Sequence, residues 1–170
     1  MILGHMALAA IGKQTCFQRE SFVFLATAAL VPDFLDKPLS MFFSLPGRGV
    51  GHSLIAFAAV AAVVMVLAAR LELPQKTVVA GMALWLSHLA GDLLQWQILF
   101  WPFLGPVEPT VQFHFWEKIR QFYMERLYPE QFWLDVGCVT VAALLYALNW
   151  WTQRRRFVST GANLTHDPGI

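Results

Sequence analysis

Apolar residues in this chain come in long blocks, and polar residues gather at the borders between them. Ser53 to Ala69 is an almost unbroken apolar run closed by Arg70. Thr77 to Phe103 is a second, interrupted by His88 and Asp92, and Phe132 to Trp151 is a third, followed by Arg154, Arg155 and Arg156. Crossing the hydrocarbon of a bilayer takes ~20 mostly apolar helical residues, so these runs predict three spans. Two shorter apolar segments, Ile2 to Gly12 and Ser21 to Val31, flank the polar stretch Lys13 to Glu20 and predict a helical hairpin. Pro32 is expected to stop its second arm. Each arm is short for a full crossing, and a hairpin at half depth needs protein to cover its ends.

A different pattern fills the stretch between Trp101 and Trp133. Pro102, Pro106 and Pro109 break any continuing helix. Trp116, Ile119, Tyr123 and Leu127 then recur at helical spacing, with Glu117, Lys118, Arg120 and Glu125 between them. This predicts an aromatic amphipathic helix, lying in the membrane interface or capping the bundle as a soluble element. Residues 104–131 are read as that interfacial segment within one helical membrane domain, residues 1–156. Residues 157–170 lack periodicity and predict a flexible tail. The expected fold class is all-α: a polytopic membrane bundle of about five helices, with a short N-terminal hairpin, three longer spans and an interfacial helix.

Composition sharpens the membrane reading. Of the 170 residues, 57% are hydrophobic and 14% charged, against ~45–50% and ~25% in soluble domains. The net charge of +1 provides no field for a nucleic-acid partner. Cys16 and Cys138 form no CxxC pair, and Cys138 sits in an apolar run where packing is its expected role. Met1 to Gly12 has no positive region ahead of its apolar stretch and does not read as a signal peptide. If the helices alternate, seven of the 12 Lys and Arg residues share one side: Lys13, Arg19, Arg70, Lys76 and the Arg154–Arg156 triplet. The other five, Lys37, Arg48, Lys118, Arg120 and Arg126, share the opposite side. The positive-inside rule then makes the C-terminus cytoplasmic.

Ionisable residues inside a membrane are costly and point to function by default. In SHLAGDLLQW, His88 and Asp92 are i and i+4, so they share one helix face, and Gln95 extends it. An imidazole and a carboxylate at this spacing can chelate one divalent ion, or the carboxylate can orient the imidazole. A helix-internal hydrogen bond between two buried groups is the plainer alternative. LGHMALA adds His5, LVPDFLDKP adds Asp33 and Asp36, and GRGVGHSL adds His52. Helix alternation brings all of them to one side, where unpaired carboxylates and imidazoles would be expensive. A divalent metal neutralises the first and uses the second as ligands, which makes a metal site the expected outcome.

Taken in order, GH, LVPDFLD, RGVGHSLIAF, LSHLAGDLL and LFWP resemble the YdjM-like family of bacterial inner-membrane proteins, described as membrane-bound metal-dependent hydrolases. More distantly, the order His, Pro-Asp, His, HxxxD resembles the zinc-dependent phospholipase C and nuclease superfamily, which is all-helical and hydrolyses phosphate esters. The resemblance runs from residue 4 to about residue 103. It implies a multi-pass protein of the bacterial inner membrane, with His5, Asp33, His52, His88 and Asp92 as its metal-binding set. Two positions depart from the family pattern. Leu35 stands where a second Asp is usual, with Asp36 one residue later, and Gly47 stands where a His is common.

The chemistry expected of such a site is hydrolysis of a phosphoester in a lipid or lipid-linked substrate, with one or two divalent ions, zinc foremost. Zinc lowers the pKa of bound water from 15.7 to about 7 and polarises a phosphoryl oxygen. Arg48 is the expected phosphate clamp, because a planar guanidinium holds two oxygens at once; a lipid-headgroup anchor is its other reading. Asp36 is the expected general base or second-metal ligand, and Ser53 a helix-start residue. The competing class is a non-enzymatic membrane protein that binds metal for folding, sensing or transport.

Overall fold

α1 (Leu3–Thr15) and α2 (Phe22–Phe43) form the predicted hairpin in a computed structural model that describes residues 3–43, 48–91, 96–104 and 115–164. Lys13 closes it: its ammonium donates to the carbonyls of Gln18 at 2.6 Å and Glu20 at 2.7 Å. Those carbonyls lie in the turn, where no helical donor reaches them. Thr77, at the start of α4, donates to the Glu20 carboxylate at 2.8 Å and ties the next helix pair to the same end.

α2 does not stop at Pro32 as expected; it continues through Pro32 and Pro38 to Phe43. A proline ring forfeits one helical hydrogen bond, but neighbouring helices can satisfy the freed backbone and packing can offset the loss. Here Pro32 is fully buried; its missing N–H leaves the Ala28 carbonyl without a helical donor, and the neighbouring Ala29 carbonyl accepts a hydrogen bond from His88.

The chain continues through a 3-10 turn (Val50–His52), α3 (Leu54–Arg70), α4 (Gln75–Gly91), a short α5 (Trp96–Leu99), α6 (Phe115–Tyr123) and α7 (Pro129–Leu164). No strand occurs among the described residues, so the fold is all-helical. Ser53 caps α3, its hydroxyl accepting from the amides of Ile55 and Ala56. The predicted run Thr77 to Phe103 is described as α4 and α5, on either side of residues 92–95. α6 ends at Tyr123, short of Leu127, and Arg126 takes the left-handed region at φ 51° where the chain turns into α7.

Among the described residues, one helix is both long and apolar enough to cross a bilayer. It is the stretch Pro129–Arg155 of α7, 27 residues long, or about 40 Å at 1.5 Å per residue. Only 11% of its apolar window is buried, so its side chains face outward as those of a lipid-facing helix do. α3 is apolar but has 17 residues, short of the ~20 a crossing requires. Residues 157–164, expected in the tail, instead continue α7 to Leu164. The sequence holds no proline there, and one glycine costs a helix only about 1 kcal/mol.

Packing explains why the hairpin meets α4 closely. Ala9 of α1, Leu25, Ala26, Ala28 and Ala29 of α2, and Ala80 and Leu84 of α4 form one buried cluster. Small residues let helix backbones approach, and this contact aligns the N-terminal end of α1 with the C-terminal end of α4. A second cluster, Trp85, Leu89 and Leu99, packs with Val31, Leu54, Phe57 and Met82 beside the 3-10 turn. Together they bring His5, Asp33, Asp36, His52 and His88 to one end of the bundle.

Candidate metal centre

The 3-10 turn is docked on α2 through a single carboxylate. Asp36, buried, accepts from the amides of Gly49 at 2.7 Å, Gly51 at 2.9 Å and His52 at 3.2 Å, and from His52 Nδ1 at 2.7 Å. Such closeness requires glycine at position 51. A Cβ there would stand 2.6 Å from the Pro32 carbonyl oxygen and 3.2 Å from the Asp36 carboxyl carbon. Trp85 holds the same turn from the other side, its indole N–H donating to the Gly51 carbonyl at 3.2 Å.

This docking sets the chemistry of two imidazoles. His52 Nδ1 faces an ionised carboxylate and must donate to it. His88 Nδ1 lies 2.7 Å from the Ala29 carbonyl oxygen, which can only accept, so it donates as well. A neutral imidazole has one N–H, and in both rings it is now committed. The two Nε2 lone pairs therefore remain, and these atoms stand 3.2 Å apart. Two acceptors at that distance repel unless a cation, a proton or a metal ion, satisfies both. Asp33 adds negative charge: its Oδ1 is 3.6 Å from His52 Nε2, while its Oδ2 pairs with Lys37 at 2.7 Å.

Ligand atoms of Asp33, His52 and His88 all lie within 4.8 Å of one another. Zn–N bonds of ~2.0–2.1 Å at a tetrahedral angle separate two nitrogens by about 3.3 Å, close to the spacing seen. The residues present thus fit a divalent metal. Asp33 and Asp36 lie past the apolar stretch of α2, and both carboxyls are held below the usual carboxylate range. For Asp33, burial opposes ionisation, and the Lys37 ammonium paired with it outweighs that cost. For Asp36, burial again opposes, and His52 with the Gly51 and Gly49 amides prevails.

His5 meets the group through a ring face. It stacks on His88 with centroids 3.7 Å apart and planes 11° from parallel, and its buried Nδ1 has no hydrogen-bond partner. Asp36, expected as general base or second-metal ligand, sits behind His52 on the nitrogen turned away from Asp33 and His88. There its oxygens already take four donors, and it orients the His52 ring. Arg48 is half-buried and immediately precedes the docked turn. Asp92, Gln95 and Gly47 lie outside the described residues.

Three participants escaped the sequence reading, Gly51, the Ala29 carbonyl and Trp85, and so did Asp135, a buried carboxylate elsewhere in the fold. Gly51 left a trace in the spacing GVGH, and Asp135 in the lone carboxylate of the apolar run FWLDVGC. A backbone carbonyl leaves no trace of its own.

The sequence model of the family described as YdjM inner membrane protein matches residues 1–157, which hold every residue of this cluster. The chain belongs to the YdjM inner membrane protein family. No curated protein and no solved structure matches it. The YdjM motif order expected from GH, LVPDFLD, RGVGHSLIAF and LSHLAGDLL therefore led to the right family, and it is an inner membrane family. The YdjM description names a location and no reaction.

Proposed function

We propose that this YdjM family member is a polytopic, metal-dependent hydrolase that cleaves a phosphoester of a lipid or lipid-linked substrate in the inner membrane. The observation that carries the reading is the pair of Nε2 acceptors of His52 and His88, 3.2 Å apart beside the Asp33 carboxylate. Asp33, His52 and His88 hold the ion, zinc foremost. His5 adjoins them, and Asp92, four positions after His88 in the sequence, is the further ligand of the set. A bound divalent ion supplies a lowered water pKa and a polarised phosphoryl oxygen.

The chain's own residues do the rest. Asp36 fixes the tautomer of His52, and the Ala29 carbonyl fixes that of His88, as partners behind ligating imidazoles commonly do. Lys37 shares the charge of Asp33 and keeps it in place. Arg48, at the border of the docked turn, clamps phosphate oxygens bidentately. α7 spans the bilayer, the shorter α3 and α4 cross beside it where the bilayer thins locally to match them, and the Arg154–Arg156 cluster lies in the cytoplasm. The mouth of the site then opens on the outer side.

Arg48→Lys tests the hydrolase. Purified protein in lipid micelles with added zinc is assayed for release of phosphate or of a phosphorylated headgroup. Lysine keeps the charge but not the two-pronged contact. Losing a charge-assisted hydrogen bond costs ~1.5–3 kcal/mol, so turnover should fall roughly 10- to 150-fold with zinc retained. Wild-type turnover by the variant would reduce Arg48 to an interfacial anchor. Tight zinc binding with no phosphoester cleaved would favour metal binding for sensing or structure over hydrolysis.

A further inference from the structure

Among the described residues one buried carboxylate lies outside this site, on a helix that is otherwise largely exposed. Asp135 of α7 is 1% exposed, and a carboxylate buried in an apolar helix carries a heavy desolvation cost unless it is well partnered. Its Oδ1 accepts from the Gly4 amide at 2.5 Å, and its Oδ2 from the Tyr123 hydroxyl at 2.8 Å. The Tyr123 oxygen in turn accepts from the Leu3 amide at 3.3 Å. Leu3 and Gly4 open α1, where amides have no acceptor within their own helix and where the helix dipole favours a negative charge. Burial, and then the bond to Asp135, push the Tyr123 phenol up to about 12, so it stays a donor.

The next residue along α1 is His5, whose ring lies flat on His88. Its Nδ1 makes no hydrogen bond, so the backbone of the first turn governs where the ring sits. We infer that Asp135, with Tyr123, is a positioning residue for the metal centre. Through the Gly4 and Leu3 amides it fixes the start of α1, and so holds His5 against the ligand His88. This rests on the metal-centre reading above, and it gives α6 and α7 a part in a site to which they contribute no ligand.

A helix cap that serves only the fold makes a different prediction from one that acts through His5, and a double-mutant cycle on zinc affinity separates them. Full-length protein in detergent micelles is titrated with zinc against a chelator for wild type, Asp135→Ala, His5→Ala and the double variant. Partners that orient ligands typically contribute 10- to 100-fold in metal affinity. Asp135→Ala should lose affinity in that range, and the double variant should bind no more weakly than His5→Ala alone. The same fold-loss from Asp135→Ala in both backgrounds, or no loss in either, overturns the inference. If Asp135→Ala does not fold, Tyr123→Phe replaces it in the cycle, with the same non-additivity expected. A wild-type protein that binds no zinc removes the metal centre itself, and the positioning role with it.

Discussion

Replacing Gly51 with alanine adds one methyl group and should disable the site while sparing the bundle. That Cβ would stand 2.6 Å from the Pro32 oxygen and 3.0 Å from the Pro32 Cα, both backbone atoms of a buried helix. Attractive contact needs about 3.5 Å, so the 3-10 turn must retreat by roughly 0.9 Å. The Asp36 bond to the Gly51 amide, 2.9 Å in the native turn, would open to about 3.8 Å, beyond hydrogen-bonding range. His52 rides on the same turn, so its Nε2 moves off the position opposite His88. Overpacking of this kind costs ~1–3 kcal/mol, which corresponds to a loss of metal affinity of roughly 5- to 150-fold. The assay is zinc titration against a chelator, with Gly137→Ala as the control, because a Cβ at Gly137 meets nothing within 4 Å. Gly137→Ala should bind zinc as wild type does. Zinc binding by Gly51→Ala within threefold of wild type would refute the argument that this turn must touch α2 to form the site.

Two further outcomes follow from the same geometry. Asp36→Asn keeps the shape but removes the charge that commits the His52 proton to Nδ1, so zinc affinity should fall about 10- to 100-fold; unchanged affinity would show that His52 needs no orienting partner. A cysteine at Ser44, in a background lacking Cys16 and Cys138, should react with an impermeant thiol reagent in intact cells, and labelling only after lysis would turn the mouth of the site to the cytoplasm.

Much of this was legible in the chain. The hairpin, the apolar helix after Ser53 and the amphipathic helix at Trp116 all follow from periodicity, because burial along a helix repeats with its turn. The gathering of His5, Asp33, His52 and His88 followed from alternation, since helices of similar length return ionisable groups to one end. What the chain hid depends on contacts between segments far apart in sequence. Pro32 read as a stop, because its ring cost is local while the packing that offsets it comes from the 3-10 turn and His88. Asp36 read as a general base or second-metal ligand, because nothing in LVPDFLDKP announces four donors arriving from residues 49–52. Asp135 passed as part of a span, its partners lying more than 130 positions away at Gly4 and 12 away at Tyr123. The end of α7 was missed for a simpler reason: a polar helix without an apolar stripe has no periodic signal.

The central claim is that the two facing imidazole nitrogens are joined by a metal ion and not by a proton. Zinc-edge X-ray absorption of the full-length protein, purified in detergent without chelator, tests it directly. Stoichiometric zinc is expected, with at least two imidazole nitrogens at ~2.0–2.1 Å and oxygen in the remaining positions, lost in His88→Ala. Protein that holds no zinc, or a zinc spectrum identical in wild type and His88→Ala, would contradict it and leave a shared proton between His52 and His88.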